Sequence, residues 1–333
     1  MEVLIKGQEY VIFAFCILIV AGLIKKNEYF IHIFNLLSKI KSKRLFLSLL
    51  SITTGTLPVP GRVLISASIL DSIKTKSKET RKKFAIVDYI STHHYYLWSP
   101  IEKSVIIPMS ILGITYYQFI SYSVYLLIPT FIYILFYSFV FIKENDLDFV
   151  IEQRSFNLQK FLFELMPFLL GLIAMVLTST LVLSSVILAS YYLLYTRDLK
   201  IFKDLNYKLL SGIVLIILLG NIVTQHLGTL SNYIQNSESL VIASFVGFLI
   251  SFSLGSSGKF AGIVALLTTI YGIEYFLLFL CIEFSGYLLS PLHKCLFIGK
   301  AYFGISITEY YRHILFWVVS MIIFTVIHYV GLI

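Results

Sequence analysis

The stretch from Leu45 to Leu70, LFLSLLSITTGTLPVPGRVLISASIL, decides how the rest of the chain is read. Both of its ends are apolar, and its middle is broken by Gly55-Thr56-Leu57-Pro58-Val59-Pro60-Gly61. A single helix does not run through two prolines and two glycines, and two complete membrane crossings would need about 40 residues. Basic clusters lie on both sides: Lys39, Lys41, Lys43 and Arg44 before it, and Lys74, Lys76, Lys78, Arg81, Lys82 and Lys83 after it. Positive charge marks cytoplasmic loops, so both ends are predicted on that face. An apolar segment that enters and leaves by one face is a re-entrant hairpin with its tip near mid-membrane. Irregular backbone is tolerated at that depth only where protein or a water-filled cavity surrounds it.

Composition sets the class. The chain has 333 residues, 58% hydrophobic and 13% charged, with 28 Phe and 23 Tyr. Soluble domains carry about twice that share of charge. Several apolar runs reach or approach the roughly 20 residues a crossing needs, so the fold class is an all-α polytopic membrane protein. The net charge of +8 lies in short loops and reports orientation rather than nucleic-acid binding. Cys16, Cys281 and Cys295 sit in apolar surroundings without metal-ligand spacing and read as buried thiols.

The chain also repeats a phrase. Tyr96–Ile107, YLWSPIEKSVII, returns as Tyr287–Ile298, YLLSPLHKCLFI, at an offset of 191 residues. These hold the two Ser-Pro steps of a sequence with seven prolines. Gly61-Arg62 and Gly258-Lys259 each close a Gly/Pro/Ser-rich break at a nearby offset of 197. Duplication of this kind within a membrane chain is a mark of transporters.

Followed in order, Tyr10–Ile24 reads as a retained first helix with the amino terminus outside, and Tyr29–Leu37 as an amphipathic interfacial segment. The hairpin at 45–70 follows. Residues 84–116 run outward with a break at Ser99-Pro100, and Phe119–Ile142 return, completing a first repeat over 1–142. Residues 143–160 form a cytoplasmic linker, where Asp146 and Asp148 read as solvated rather than metal-binding. The second repeat, 161–333, opens with Phe161–Tyr195. One helix of that length would measure about 50 Å against a core of about 30 Å, so two short crossings turning near Thr178-Ser179-Thr180 are predicted. Leu209–His226 then runs outward and Leu227–Ser239, free of Lys and Arg, is placed outside. A second hairpin spans 240–270 around Gly255-Ser256-Ser257-Gly258-Lys259, with Glu238 and Glu274 at its flanks in place of basic residues. It enters from outside, which makes the two halves an inverted repeat. Residues 273–300 carry the second break at Ser290-Pro291, and Ile314–Val330 is the last crossing.

Broken helices present N–H groups to anions and carbonyls to cations at mid-membrane. Thr56, Gly61, Arg62, Ser99, Ser256, Ser257, Lys259, Ser290 and His293 are therefore the predicted substrate-binding residues. A charge at the bilayer centre costs at least about 2.5–3.5 kcal/mol, so Arg62 and Lys259 suggest an anionic substrate, against the plainer role of neutralising helix-end carbonyls. Asp88, His93, His94, Glu102 and Glu283 are the candidates for carrying a coupling ion or proton, and each alone reads equally well as a satisfied buried group. No metal-ligand spacing, nucleophile elbow or Walker loop is present, so no metal or cofactor is expected apart from Na⁺ as a coupling ion.

Two of these stretches carry a resemblance. Leu57–Asp71, LPVPGRVLISASILD, resembles the Pro-Gly segment ending in Asp of domain-of-unknown-function family 401 of integral membrane proteins. Ser290–Phe303, SPLHKCLFIGKAYF, is similar to that family's Ser-Pro-x-His-x-Cys motif and following Tyr-Phe, matched here by Ser290, Pro291, His293, Cys295, Tyr302 and Phe303. The resemblance implies an ion-transporter-superfamily scaffold, related to gluconate, citrate and arsenite permeases, and names no substrate. The chain departs from the family where Asn, aromatics and an Arg-His pair are expected and Asp88-Tyr89 and Thr92-His93 stand. It also looks shorter than the family in its first half.

The leading expectation is a multi-pass plasma-membrane secondary transporter of a small anion, a carboxylate or inorganic oxyanion, coupled to Na⁺ or H⁺. Its partners would be that anion, the lipid bilayer and a second copy in a homodimer, with no nucleic acid. The alternative is a membrane-embedded enzyme acting on an anionic lipid or isoprenoid phosphate through His93, His94, Glu102 and Arg62. A channel or assembly subunit is the third reading, and it would tolerate neutralisation of the intramembrane charges.

Overall fold

Helix ends and breaks fall where the sequence places caps and Gly/Pro interruptions. The computed structural model describes residues 2–26, 37, 40–57, 61–148, 157–178, 181–225, 237 and 239–331. The predicted interfacial segment Tyr29–Leu37, the hairpin's Pro58–Pro60, most of the predicted outer loop and residues 149–156 of the linker lie outside the described residues, apart from Leu37 itself. Among the described residues the chain is all-helical and holds no strand. The helices are α1 (Glu2–Lys26), α2 (Lys43–Gly55), α3 (Arg62–Asp71), α4 (Lys78–His93), α5 (Lys103–Leu112), α6 (Tyr116–Phe141), α7 (Leu158–Thr178) and α8 (Leu181–Thr196). They continue as α9 (Ile201–Asp204), α10 (Tyr207–Gln225), α11 (Leu240–Leu254), α12 (Ser257–Tyr271), α13 (Phe276–Leu289), α14 (Lys294–Phe303) and α15 (Ile307–Tyr329).

Two of these, α6 and α15, are long and apolar enough to cross a membrane, and α13 with α14, bent by 45° at their break, makes a third if taken as one span. Their outward faces are apolar: Ile132, Phe136 and Val140 on α6, and Phe316, Ile323 and Val326 on α15, are exposed. Charged and polar side chains are instead buried, among them Arg62, Asp88, His93, Glu283 and His293. Apolar outside and polar inside is the arrangement lipid imposes. The protein is a membrane protein.

The predicted pair of short helices over 161–195 is present as α7 and α8, with the turn residues Ser179 and Thr180 outside the described residues. The Phe163 ring lies against Tyr191 and Tyr195, so the two helices double back on each other. The last helix begins seven residues before the predicted Ile314 because Ser306 caps it, accepting a hydrogen bond from Glu309 N at 3.2 Å. Ser-x-x-Glu ahead of a polar first turn is the capping-box pattern, and the apolar run alone does not reveal it.

Packing divides the chain into two compact units, each drawn from both halves of the sequence. One comprises Met1–Thr92, Ile134–Leu215 and Phe297–Ile305; the other His93–Tyr133, Ile216–Leu296 and Ser306–Ile333. These are units of packing, whereas 1–142 and 161–333 are repeats of sequence, and each packing unit draws helices from both.

In the first unit the polar segments gather at one end. Asp71, at the end of α3, is held by both Lys25 and Arg81. Lys26 pairs with Asp198 at 2.6 Å. Lys43 N donates to Glu144 at 2.7 Å, Thr80 to Asp146 at 2.7 Å, and Thr75 pairs with Leu147 in an isolated bridge. The segments around Lys25, Lys43 and Arg81 are thus tied to acids at the end of α3 and in other loops, at Glu144, Asp146 and Asp198. In the second unit, α11 packs on α13, α12 packs on α5 and α13, and α15 packs on α13.

Candidate functional site

In the first unit the break between α2 and α3 is pressed onto α4. A Cβ at Gly55 would overlap the Ser91 carbonyl oxygen, so only glycine fits there. Gly61 has φ +81° and starts α3, which places Arg62 in the first turn with its side chain buried. Arg62 Nη2 lies 3.5 Å from the Thr92 carbonyl, at the long limit of a hydrogen bond. The Thr54 and Ser66 hydroxyls are 2.8 Å apart, and Ser66 in turn donates to Asp88, linking α2, α3 and α4 through buried polar groups. The Thr53 and Thr56 hydroxyls bond to carbonyls of their own helix, Leu49 O and Thr53 O, and act as local caps.

In the second unit the duplicated Ser-Pro phrase has a duplicated geometry. Glu102 N donates to Ser99 O, and His293 N donates to Ser290 O, each at 3.0 Å. Both are four-residue turns with proline in the second position, where its fixed φ is favoured. Their fourth residues, Glu102 and His293, correspond at the repeat offset. Ser290 Oγ additionally accepts from Leu292 N at 3.2 Å. The break between α11 and α12 packs on this second turn: Gly255, with φ +54°, sits where a Cβ would lie 2.8 Å from Ser290 Oγ and 3.0 Å from His293 N. Replacing Gly255 by alanine is expected to destabilise the protein by about 2–4 kcal/mol, from left-handed backbone strain plus overpacking. Gly113→Ala is the control, because its φ is +65° but nothing lies within 4 Å of the added carbon. Denaturant unfolding in detergent should show the larger loss at Gly255.

Around that turn the predicted polar residues separate into distinct groups. His93 Nε2 is 2.8 Å from His293 Nε2, and both rings are buried. His293 Nδ1 donates to the Tyr287 carbonyl at 2.9 Å. Rings of Tyr96 and Tyr287 enclose the pair, with Tyr287 4.4 Å from His293 and Tyr96 5.5 Å from His93. His94 faces elsewhere: its Nδ1 accepts from the Trp98 indole at 2.8 Å and its ring lies on Phe131. Glu283, on α13, accepts from Ser251 of α11, and its Oε1 packs against Gly247. Ser257 donates to Glu102 at 3.3 Å. Lys259 is exposed, in contrast to the buried Arg62, and Ser256 precedes α12 without a side-chain capping bond.

Sequence reading found His93, His293, Asp88 and Glu283 as intramembrane titratable groups but not their companions. Ser66 and Ser251 are ordinary small residues until packing sets them against Asp88 and Glu283. Cys295 joins His93 and His293, the ligand atoms of all three lying within 4.8 Å of one another. The only local signal for it was His293-x-Cys295, because His93 is 200 residues upstream.

Comparison with known proteins agrees with the motif resemblance. The family model described as "Protein of unknown function (DUF401)" matches residues 4–332. No curated protein matches the chain.

Proposed function

The chain belongs to the DUF401 family, and from its buried polar architecture we propose that it is a secondary transporter of a small anion, a carboxylate or inorganic oxyanion, coupled to Na⁺ or H⁺. One observation carries this reading. Each unit holds a pair of short helices joined at a glycine break, with a serine of the pair hydrogen-bonded to a buried carboxylate on the neighbouring helix: α2–α3 with Ser66 on Asp88, and α11–α12 with Ser251 on Glu283. At about 1.5 Å per residue these helices are roughly 15–23 Å long, too short for a core of about 30 Å.

We read both pairs as re-entrant hairpins of an inverted repeat of the ion-transporter type. For the first, the start of α2 at Lys43 and the end of α3 at Asp71 are bound to the same group of polar segments, as a hairpin returning to its own face requires. The positive-inside rule makes that face cytoplasmic and puts the amino terminus outside. Arg62, buried at the first break, supplies the positive charge for the anion, while Asp88 and Glu283 are the acids available for a coupling cation or proton. The repeated Ser-Pro turns supply backbone dipoles at the broken helices.

The test is reconstitution of the purified protein into liposomes, with labelled citrate, gluconate, sulfate, phosphate and arsenite offered under Na⁺ or proton gradients. Gradient-dependent uptake of one anion class is expected. Absence of uptake for the whole panel, with turnover of an isoprenoid phosphate instead, would replace transport with the enzyme reading.

A further inference from the structure

We propose that His93, His293 and Cys295 form a binding site for a borderline transition-metal ion of the Zn²⁺ type, within the second unit and separate from the anion and coupling roles above. The three ligand atoms lie within 4.8 Å of one another and all three residues are buried. Two imidazole nitrogens and a thiolate, with no carboxylate in the group, suit zinc and its neighbours rather than Mg²⁺ or Ca²⁺.

The local chemistry is arranged for ligation. His293 Nδ1–H donates to the Tyr287 carbonyl, which leaves the Nε2 lone pair directed at His93 Nε2, 2.8 Å away. A histidine that ligates metal through one nitrogen and donates the other N–H to a backbone carbonyl is the usual supporting arrangement, because it fixes both tautomer and ring orientation. Without metal the pair is closed by one N–H···N hydrogen bond, His93 Nε2–H donating to His293 Nε2, and a metal ion would take the place of that shared hydrogen. A tetrahedral ion with bonds of about 2.0–2.1 Å to nitrogen and about 2.3 Å to sulfur would hold N–N near 3.3 Å and N–S near 3.6 Å. The two rings would therefore part by about 0.5 Å, and the Cys295 thiolate would close in by about 1.2 Å at most, a side-chain adjustment.

The backbone explains how these residues meet. His93 is the last residue of α4, and His293 precedes α14 in the turn that Ser290 O closes. Because His293 lies outside regular helix, a spacing of two residues can still direct it and Cys295 to one point. Tyr96 and Tyr287 lie against the imidazoles, and Phe260 packs behind Tyr287 at 5.0 Å, which dries the site and strengthens ligation. Three protein ligands leave a fourth position for water or an exogenous ligand.

The experiment uses the whole protein, purified in detergent without a polyhistidine tag. Zn²⁺ is added to one equivalent, excess is removed, and bound metal is counted and examined by X-ray absorption. One ion per chain with one sulfur at about 2.3 Å and nitrogens at about 2.0–2.1 Å is expected. Co²⁺ in place of Zn²⁺ should give a thiolate-to-metal charge-transfer band that Cys295→Ser abolishes and Cys16→Ser and Cys281→Ser leave unchanged. His293→Asn and His93→Asn should each weaken binding by about 100-fold or more. No bound metal in the folded wild type, or bound metal coordinated by oxygen and nitrogen alone, overturns the site, and because these readings come from the wild type a variant that fails to fold does not spare it. Anion uptake is measured separately, so loss of the metal site and loss of transport are distinguishable outcomes.

Discussion

Arg62→Gln should raise the KM for anion uptake by about 100-fold or more while the protein remains folded, a loss of at least about 2.7 kcal/mol of binding. Arg62 is buried, 6% exposed, at the first turn of α3, directly after the left-handed Gly61. Its hydrogen bond to Thr92 O is at the 3.5 Å limit, a long contact for a guanidinium. A charge costing at least about 2.5–3.5 kcal/mol to bury at mid-membrane needs a purpose, and holding the anion is the role proposed for it. Glutamine keeps much of the length and a donor but removes the charge. Arg62→Lys keeps the charge without the planar fork, so an intermediate KM is expected. The measurement is initial uptake in liposomes, alongside thermal unfolding. A folded Arg62→Gln protein with unchanged KM would assign Arg62 to helix-end carbonyls and remove it from the anion site.

The two levels of this fold are unequally legible in the sequence. Class, helix number near 161–195 and both Gly/Pro breaks follow from the apolar length and from Gly55–Gly61 and Gly255–Lys259, because a membrane leaves the backbone few options. The Ser-Pro echo is legible too, and its meaning is geometric: the same turn closes at Ser99–Glu102 and Ser290–His293. What stays hidden is partnership. Ser251 stands 32 residues from Glu283 and Ser66 stands 22 from Asp88. Among 13% charged residues a buried acid is conspicuous, but the serine that meets it looks like every other small helix residue. Lys259 misleads in the opposite way. Its place beside a break suggests a buried charge, yet it lies on the exposed side of α12, because the helical period and not nearness to the break sets the face.

Glu283→Gln should abolish concentrative uptake while leaving exchange of anion across the membrane in place. Glu283 is fully buried on α13; Ser251 donates to its Oε2, and its Oε1 lies against Gly247 with no hydrogen-bond partner among the described residues. A carboxylate half satisfied in this way is completed by a proton or a cation, which is what coupling demands of a side chain. Glutamine has the same shape and can still accept from Ser251 while carrying no charge, so packing survives and the gradient loses its handle. Ser251→Ala takes away the donor and is expected to cost about 1–3 kcal/mol of stability without separating exchange from accumulation. Asp88→Asn is expected to lose stability as well as coupling, since Asp88 also closes a chain through Ser66 to Thr54 that joins three helices. Counterflow and gradient-driven uptake, measured on the same vesicles, separate these cases. If Glu283→Gln still accumulates anion against a gradient, coupling does not pass through α13, and Glu283 is a packing group whose proton serves only to keep it neutral.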